Sequence, residues 1–544
     1  MRLRGAPPST TRPASRRRPT HDAEGLRSLA QTGSSSPRRE HRPVRSRDHA
    51  GRALVGDAPV APRAASRLRS SPAPAGVPLV VDLDGTLVRS DLLIETAFSE
   101  LGRRPRSLVD MAAALSQGKA TLKHRLSEPV DFDPAVLPYD DAVIARIEEA
   151  RAEGRPVYLA SASHQRLVSA VAEHLGLFDG WFASNETVNL AGAAKAAELV
   201  DAFGEGGFDY IGNDRADLPV WARARNAIAI RTPAAVARRL SALAPTAEHL
   251  PHRRPTPRTW AKMLRVHQYA KNALIFLPLL ASHSLTPGAL VQALLAVVAF
   301  SLCASGVYVL NDLVDLQDDR RHRTKCRRPL ACGDIPLVHG ILAVPLLLAG
   351  AALVAALVSW PFMGVLAGYL AITTAYSFYL KRVLLVDVIT LASLYSIRVV
   401  AGAVAIGVTP SGWLVGFCLS IFLSLALIKR YVELAARLDA NQPAPANRGY
   451  RTGDLGAVAA LAAAAGFQAV TVFALYVSSD AVQGLYTRPD ILWLVCPILT
   501  YWIARALMLA QRREMDDDPV VFALRDRQSL VAAVLIAALA VAAI

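Results

Sequence analysis

Cysteine is scarce in this sequence, with five residues in a chain of 544. The five are scattered, mostly within apolar runs, and form neither a C-x-x-C pair nor the spacing of a disulfide-rich secreted domain. They are Cys303, Cys326, Cys332, Cys418 and Cys496. The pattern argues against a disulfide framework, and we expect all five cysteines to be reduced and structural.

Charged residues are also few for a chain of this size. They make up 19% of the residues against 52% hydrophobic ones, and the apolar residues gather in the second half in very long runs. Runs longer than a globular core needs predict a membrane domain. A typical domain has roughly 100 to 200 residues, so the first half has room for a further folding unit.

Acidic residues are rare in the first 76 positions, where sixteen arginines face five carboxylates. This segment supplies about eleven charges of the net +15, so the basic excess belongs mostly to a tail and no nucleic-acid partner is expected. The segment also lacks apolar periodicity and the hydrophobic stretch of a signal peptide. We expect residues 1–76 to be disordered, either as an unstructured extension or as a basic tail that touches anionic lipid.

Residues 77–245 show the pattern of a soluble α/β domain. The apolar run Val77 to Leu83 leads into a polar loop, and strand-like runs follow at 156–160 and 208–212, with helical stretches between them. Strands that alternate with helices predict a parallel sheet, which binds ligands at the carboxyl ends of its strands. We interpret residues 246–258, rich in proline and arginine, as a linker.

From residue 259 onward, nine apolar segments approach the roughly 20 residues that cross a bilayer core. They cover about 263–283, 288–310, 337–358, 361–380, 384–406, 411–430, 455–478, 489–511 and 528–544. Lysine and arginine, which are retained in the cytoplasm, collect in the loops after the second, fourth, sixth and eighth segments. The sequence therefore predicts an all-α domain of nine transmembrane helices at residues 259–544. We expect a bacterial-type inner membrane, with the soluble domain and these loops on the cytoplasmic side.

Acidic residues cluster at the end of the second segment, in the stretch 311–319. If this stretch is helical, Asn311, Asp315 and Asp319 lie on one face, with Asp312 beside them. Carboxylates at the edge of hydrocarbon need a compensating cation, and an oxygen-only ligand set favours Mg²⁺. A basic run at 320–328 follows at once, and carboxylates for metal beside cations for phosphate predict a diphosphate site. The alternative is a solvated, charged loop.

The stretch 311–319 resembles the first aspartate motif of the UbiA superfamily of intramembrane prenyltransferases, and the resemblance covers roughly residues 259–544. In most of that superfamily a second aspartate motif follows the sixth span and binds a further Mg²⁺ on a prenyl diphosphate. This chain has Lys429, Arg430 and Glu433 at the corresponding place, so one carboxylate stands among cations. The departure puts a prenyl diphosphate donor in doubt.

Three further stretches, 267–272, 323–330 and 397–402, resemble one branch of that superfamily, the polyprenyl-phosphate phosphoribosyltransferases of mycobacterial type. The resemblance implies phosphoribosyl pyrophosphate as the donor and a polyprenyl phosphate lipid as the acceptor. Together these substrates bring four phosphoryl groups into one site. More cations and fewer carboxylates are then expected, as this chain has.

The resemblance implies that a lipid phosphate oxygen attacks the anomeric carbon of the ribose while Mg²⁺ stabilises the departing diphosphate. The expected Mg²⁺ ligands are Asn311, Asp312, Asp315 and Asp319, of which Asp312 and Asp315 are the expected catalytic residues. The residues expected at the phosphates are Lys325, Arg327, Arg328, Lys429, Arg430 and Glu433. Further polar residues expected at the site are Lys271, Asn272, Tyr376, Lys381, Asp387 and Arg398. For these last six, snorkelling or helix pairing is the alternative.

The loop that follows the apolar run at 77–83 resembles the first motif of haloacid-dehalogenase-type phosphatases. Asp82 would be the nucleophile and Asp84, two residues on, the general acid and base. Ser161 resembles the phosphate-binding hydroxyl of the second motif, and Lys195 the lysine of the third. The helical stretch at 92–150 stands where these enzymes insert a small cap.

The fourth motif of that family departs from its pattern here, because Asn213 occupies the first acidic position. The residues expected near Mg²⁺ in this domain are Asp82, Asp84, Asn213, Asp214 and Asp217. An amide oxygen can still bind Mg²⁺, but more weakly than a carboxylate. The sequence leaves two possibilities open, an active phosphatase and a degenerate domain that only binds or stabilises.

Two other functions remain as alternatives for the whole chain. One is a UbiA-type prenyltransferase with an aromatic or quinone-precursor acceptor, which the missing second aspartate motif disfavours. The other is a membrane transporter with a cytoplasmic regulatory domain, which the clustering of charges on one membrane face disfavours. The leading hypothesis is a phosphoribosyltransferase whose fused phosphatase removes the 5-phosphate of the product, and the sequence leaves a homo-oligomer open.

Overall fold

The computed structural model describes residues 64–68, 76–104, 106–127, 132–442, 448–515 and 519–544. The predicted basic tail therefore lies almost entirely outside the described residues. One described stretch of it differs from the expectation of disorder, because Ala65–Leu68 forms a strand. This strand pairs antiparallel with the edge of the sheet, where unpaired backbone groups are available to it.

The soluble domain is built on one seven-stranded sheet. The strands are β1 (Ala65–Leu68), β2 (Leu79–Val81), β3 (Val157–His164), β4 (Gly180–Ser184), β5 (Asp209–Gly212), β6 (Ala227–Ala229) and β7 (Glu248–His249). Their order is β1-β4-β3-β2-β5-β6-β7, and every pair except β1 with β4 is parallel. The predicted parallel sheet is confirmed, with β2 at its centre.

Alternate residues of β2 face opposite sides of the sheet, as the pleat requires. Leu79 and Val81 join an apolar cluster covered by helices α4 and α5, whereas Val80 joins a cluster covered by α6 and α8. All three side chains are fully buried. Each such side chain contributes about 1.5 to 3 kcal/mol to folding, so a strand flanked by polar loops is held firmly between two layers of helices.

Eight helices belong to the soluble domain: α1 (Leu92–Arg103), α2 (Ser107–Gln117), α3 (Lys119–Ser127), α4 (Asp141–Ala152), α5 (Gln165–Leu175), α6 (Ala193–Phe203), α7 (Leu218–Trp221) and α8 (Ala234–Leu243). Helices α1 to α3 stand between β2 and β3, inside the stretch 92–150 that was expected to form a cap. The last helix of that stretch, α4, packs on the sheet instead.

The membrane domain is helical, as predicted. Its α-helices are α9 (Pro257–Met263), α10 (Leu277–Ala281), α11 (Pro287–Val314), α12 (Leu316–Arg321), α13 (Leu337–Val358), α14 (Trp360–Phe378), α15 (Val386–Ala405), α16 (Gly412–Asp439), α17 (Leu455–Val477), α18 (Asp480–Gln483), α19 (Val495–Gln511), α20 (Pro519–Arg525) and α21 (Arg527–Ala543). Short 3₁₀ segments lie between several helices of both domains. Those of the soluble domain are Pro134–Val136 and Arg215–Asp217. Those of the membrane domain are Val266–Phe276, Lys325–Arg327, Leu380–Arg382, Thr452–Asp454 and Pro489–Leu494.

The nine predicted spans are not confirmed. Among the described residues, seven helical segments are long and apolar enough to cross a membrane. The first predicted span is divided into α9, the 3₁₀ segment Val266–Phe276 and α10, because Arg265 takes a left-handed conformation (φ 53°) and Pro278 begins α10. The last predicted span, at 528–544, forms α21, which has 17 residues.

The helices divide into an inner and an outer set. In α11 and α15, 61% of the residues in an apolar 18-residue stretch of the helix are buried within the protein, against 11% in α13 and 17% in α14. The inner helices also approach their neighbours closely, since a Cβ added at Gly402 of α15 would lie 2.0 Å from the carbonyl oxygen of Ile275. The buried polar side chains of the inner helices, such as Ser301, Ser305 and Arg398, therefore meet other protein groups.

Candidate functional site

The acidic stretch of the membrane domain lies where α11 gives way to α12. Asp315 is the residue at the junction, with non-helical dihedral angles that end α11. The expected single helical face of Asn311, Asp315 and Asp319 is therefore broken at its middle member. Asp312 and Asp319 are the buried carboxylates of the stretch, with 3% and 1% of their surface exposed, whereas the side chain of Asp315 is partly exposed.

Two arginines hold the buried carboxylates together. The guanidinium of Arg328 donates to Asp319 and, at 3.0 Å, to Asp312. Arg265 donates to the same oxygen of Asp312, and the ammonium of Lys325 lies 3.8 Å from Asp319. Burial raises the pKa of Asp319 to about 6, although Arg328 opposes the rise. Four of the residues that the sequence predicted at this site, Asp312, Asp319, Lys325 and Arg328, therefore form one connected group.

Sequence reasoning missed Arg265. Its guanidinium stacks 4.8 Å from the ring centroid of Tyr308, one turn before Asp312 on α11. A non-glycine residue with a positive φ is uncommon, and such strain concentrates at functional sites. An arginine inside the boundary of an apolar segment was the available signal, but its left-handed backbone could not be predicted from the pattern.

Asp315 faces a different cation. Its carboxylate lies 3.8 Å from the ammonium of Lys381, in the 3₁₀ turn after α14. Tyr376 bonds to the side chain of Arg448. Asn311 is partly buried on the last turns of α11, and Arg327 is exposed beside Lys325. Lys381, a predicted site member, therefore borders this group of charges, whereas Tyr376 contacts Arg448 instead.

The donor set of this site suits a hard cation. A guanidinium already bridges Asp312 and Asp319, so the space between the two carboxylates accommodates positive charge, and all the acidic donors are oxygens. Within the described residues, no three histidine, cysteine or acidic side chains are close enough to hold a metal by themselves. Mg²⁺ at this site would need substrate phosphates to complete its shell, as is usual for this ion.

The residues that replace the second aspartate motif form a buried ion cluster. Arg430 of α16 is fully buried, and its Nη2 lies 2.8 Å from Oδ2 of Asp387 of α15. Its Nη1 contacts Glu433, which also lies 3.6 Å from Arg448. The hydroxyl of Tyr450 donates to Asp387 at 2.5 Å. Arg430 was expected to bind phosphate, but its burial shows that it holds Asp387 and Glu433 in place instead. Lys429, beside it, is partly exposed.

Arg430 and Asp387 form a close ion pair whose angle is unfavourable for a hydrogen bond. Nη2 and Nε of Arg430 have no hydrogen-bond partner of acceptable angle among the described residues, even though the ion pair itself is close. We take the ion pair as the stabilising interaction, because its separation is well inside contact distance. The charge of Arg430 is thus compensated by Asp387 and Glu433 together.

Replacing Asp387 with leucine should destabilise the membrane domain strongly. Removal of one partner of a buried ion pair costs about 3 to 5 kcal/mol, and here Glu433 would remain as the only acidic contact of Arg430 among the described residues. The thermal unfolding midpoint of the detergent-solubilised chain would fall, and the matched change Asp490→Leu, at an exposed carboxylate, should have little effect. Equal midpoints for the two variants would contradict the assigned role of the pair.

Further polar residues meet where the 3₁₀ segment Val266–Phe276 crosses α15. The amide of Asn272 donates to Ser301 at 2.9 Å and accepts from Nε of Arg398 at 3.0 Å. Arg398 also donates to the hydroxyl of Tyr369 at 3.2 Å. Lys271 lies over the ring of Tyr395, at 5.6 Å from its centroid. Asn272 and Arg398, predicted as site members, thus join four helical segments, the 3₁₀ segment, α11, α14 and α15, while Lys271 is less enclosed.

The soluble domain carries a second candidate site at the carboxyl end of β2. Asp82 accepts from the ammonium of Lys195 at 2.7 Å and from the hydroxyl of Thr86 at 3.0 Å. Lys195 also donates to Tyr210 at 2.9 Å and lies 3.6 Å from Asp217. Burial raises the pKa of Asp82 to about 7, while Lys195 opposes the rise. The predicted nucleophile and the predicted lysine are therefore in direct contact.

Asp84 is held by two serines and a helix. Its Oδ2 accepts from Ser161 at 3.0 Å and from Ser163 at 2.7 Å, and its Oδ1 accepts from the backbone of Leu92 at the start of α1. Ser161 and Asp84 were predicted to share a site, and the structure brings them together. Ser163 was missed, although its position two residues after Ser161 on the same face of β3 was the signal.

The loop after β5 brings Asn213 to the same site. Gly85 has a positive φ of 77°, and a Cβ at this position would lie 2.2 Å from the amide nitrogen of Asn213. Asp217 is less available, because its oxygens accept from Tyr210 and from the backbone nitrogens of Asn213 and Asp214. Asp217 therefore shapes the loop, while Asn213 is the member that faces the loop of Asp82 and Asp84.

Comparison with known proteins identifies a family for each of the two domains. The model of the UbiA prenyltransferase family matches residues 273–542, and that of haloacid dehalogenase-like hydrolases matches residues 79–222. An uncharacterized protein of Sinorhizobium fredii, y4nM, is 35% identical over 85% of this chain and 90% of its own length. The chain belongs to the UbiA prenyltransferase family. Residues 79–222 form a haloacid dehalogenase-like domain, and both resemblances drawn from the motifs are confirmed.

Named relatives of this UbiA-family protein cover less of it. The decaprenyl-phosphate phosphoribosyltransferase of Mycobacterium tuberculosis is 37% identical over 183 residues, which are 32% of this chain and 59% of the relative. A solved UbiA homolog from Archaeoglobus fulgidus, bound to GPP and Mg²⁺, is 14% identical with a TM-score of 0.41, over 52% of this chain and 97% of that one. The structural likeness is too distant to bear on the site. The family and the apolar helices make the chain a multi-pass membrane protein.

Proposed function

We propose that the membrane domain transfers 5-phosphoribose from phosphoribosyl pyrophosphate to a polyprenyl phosphate. The observation that carries the proposal is the excess of cations around one acidic group. Arg265, Lys325 and Arg328 all lie at Asp312 and Asp319. Donor and acceptor with four phosphoryl groups need such an excess, and the similarity to the mycobacterial phosphoribosyltransferase supports this choice.

The reaction needs no strong base from the protein, because the attacking lipid phosphate is already an anion. Its oxygen forms a bond to the anomeric carbon, and the bond from that carbon to the diphosphate oxygen breaks. Arg265, Arg328 and Lys325 would turn from carboxylates to phosphates and stabilise charge on the leaving group. Mg²⁺ held by Asp312, Asp319 and their neighbours would supply Lewis-acid stabilisation of the same diphosphate.

A labelled donor tests this proposal. Membranes that contain the chain are incubated with phosphoribosyl pyrophosphate labelled in the ribose and with polyprenyl phosphate, and the lipid fraction is then extracted. Label in a lipid product supports the proposal. Labelled product that forms only from a prenyl diphosphate and an aromatic acceptor would favour the prenyltransferase alternative. Absence of both products would contradict both transferase hypotheses and favour a transporter.

We further propose that the haloacid dehalogenase-like domain removes the 5-phosphate of the transferred ribose. Asp82 attacks phosphorus, the bond from phosphorus to the ribose oxygen breaks, and Asp84 donates a proton to that oxygen. Water then hydrolyses the aspartyl phosphate and releases inorganic phosphate. Lys195 contacts Asp82 and would balance the charge of the bound phosphate. A phosphatase on the same chain meets the product at high effective concentration.

Asn213→Asp should strengthen metal binding in this domain. A carboxylate in place of the amide adds a negative charge where Asn213 meets the loop of Asp82 and Asp84. We expect the Mg²⁺ concentration for half-maximal phosphate release to fall by roughly tenfold, a typical effect of changing a residue at a metal site. The control is Asn226→Asp, at an exposed asparagine of the same domain. An unchanged Mg²⁺ requirement would show that residue 213 does not contact the metal.

We also propose that the soluble domain and the basic loops share the cytoplasmic side of the membrane. Arg320 and Arg321 end α12, the short helix after α11, and Arg321 lies 3.6 Å from Asp133 of the soluble domain. The two parts are therefore on one membrane face. Basic loops of this kind are retained in the cytoplasm.

A further inference from the structure

The soluble domain touches the membrane domain next to the acidic stretch. Helix α1 packs against the end of α11, where a Cβ at Gly102 would lie 2.6 Å from the side chain of Val314. Ile94 and Phe98 of α1 pack against an apolar cluster of the membrane domain that includes Leu313. The soluble and membrane domains therefore belong to one compact unit.

A buried ion pair lies at the centre of this contact. Arg320 of α12 donates to both carboxylate oxygens of Glu95 of α1, at 2.6 and 2.7 Å. The side chains of the two residues are 2% and 1% exposed. Gln317 adds a hydrogen bond to Glu95 at 2.8 Å, and Arg320 reaches the hydroxyl of Ser90 at 3.2 Å. The bidentate geometry fixes both position and orientation.

Arg320 also ties together the two ends of the phosphate-binding loop. Its Nε donates at 2.9 Å to the carbonyl of Ala331, which follows Arg328 by three residues, and its own neighbour in the chain is Asp319. The guanidinium of Arg320 thus joins the start of the loop, at Asp319 and Arg320, to its end at Ala331. Lys325 and Arg328 both belong to the closed segment.

Stability alone does not account for this pair. A buried ion pair is often no more stabilising than apolar residues of the same volume, so its value lies in the geometry that it imposes. Here the carboxylate comes from the soluble domain and the closed loop belongs to the membrane site. The same helix α1 begins at Leu92, whose backbone donates to Asp84 of the phosphatase site at 2.8 Å.

We propose that Glu95 is a positioning residue for the transferase site. The soluble domain holds Arg320, and through it Asp319 and Arg328, in the arrangement that phosphoribosyl transfer needs. The domain therefore serves transfer as a structural subunit, whether or not its own aspartates hydrolyse phosphate. This inference rests on the proposed phosphoribosyl transfer.

The test uses the full chain with Glu95→Ala and Glu95→Gln. In Glu95→Ala we expect kcat for transfer to fall at least tenfold and KM for phosphoribosyl pyrophosphate to rise, with an unchanged KM for the lipid. Glu95→Gln should show a smaller loss, because an amide keeps part of the hydrogen bonding. Loss of folded enzyme would lower the apparent kcat without moving KM. The matched controls are Glu100→Gln, on the same helix, and Asp141→Asn, at an exposed carboxylate of the soluble domain, and both should leave transfer unchanged.

Hydrogen–deuterium exchange supplies a second readout that needs no substrate. In Glu95→Ala the backbone amides of 316–331 should exchange faster than in the parent chain, while those of α16 should not change. Unchanged KM, kcat and exchange in Glu95→Ala would overturn the proposal, and so would an equal loss of transfer in Glu100→Gln or Asp141→Asn. If the parent chain shows no transfer, the proposed function fails, and the exchange result still decides whether Glu95 orders the loop.

Discussion

Replacing Asp312 with asparagine should lower phosphoribosyl transfer by about 100-fold or more. Asp312 is the carboxylate that both Arg265 and Arg328 contact, and it stands beside the expected metal position. An asparagine keeps the shape and removes the charge that orients these cations. Loss of one group that stabilises the departing charge typically costs 10²- to 10³-fold in kcat. The measurement is the initial rate of label transfer into lipid at saturating substrates.

The same acidic stretch contains a suitable control for this change. Asp318 is exposed and only six residues from Asp312, so Asp318→Asn removes the same charge from the same loop. We expect it to retain more than half of the activity. Thermal unfolding of both variants separates a lost charge from a lost fold. Full activity in Asp312→Asn, or an equal loss in Asp318→Asn, would show that the site lies elsewhere.

Asp82→Asn should abolish phosphate release while transfer continues. The amide cannot attack phosphorus, and removal of a nucleophile leaves no alternative covalent path. We expect release of inorganic phosphate from polyprenyl-phosphoryl-5-phosphoribose to fall by at least three orders of magnitude, a typical scale for loss of a catalytic nucleophile. The lipid product should then accumulate with its 5-phosphate, which mass spectrometry detects.

Two further variants make the result on Asp82 specific. Asp141→Asn changes an exposed carboxylate of the same domain and should not affect phosphate release. Asp84→Asn should also abolish release, because the leaving oxygen loses its proton donor. If the parent chain releases no phosphate but an added unrelated phosphatase does, the domain is degenerate. Persistent release in Asp82→Asn would point to another nucleophile.

Much of the soluble fold follows from local pattern. The run that becomes β2 is apolar on both faces and ends in Asp82 and Asp84, and such a run predicts a buried central strand with polar groups at its carboxyl end. Lys195 and Ser161 could be assigned to the same site because their motifs follow in the expected order. The strand β1 could not be predicted, since a four-residue strand at a sheet edge carries almost no periodicity.

The membrane site was predictable in composition but not in its pairing. A count of acids and bases placed Asp312, Asp319 and Arg328 together, and the structure brings them into contact. The buried position of Arg430 depends on where α15 and α16 meet, which no spacing along one helix reveals. Glu95 is separated from its partner by 225 positions, so its role arises only from the contact between domains.

The ion pair between Asp387 and Arg430 also bears on how the chain enters the membrane during synthesis. Each residue belongs to a different helix, and a lone charge at the centre of an inserting helix costs about 2.5 to 3.5 kcal/mol, less near its ends. The two helices are consecutive, with only residues 406–411 between Ala405 and Gly412. Asp387 can therefore find its counter-ion as soon as α16 has been made, so the α15–α16 hairpin, and not either helix alone, is the natural unit of insertion.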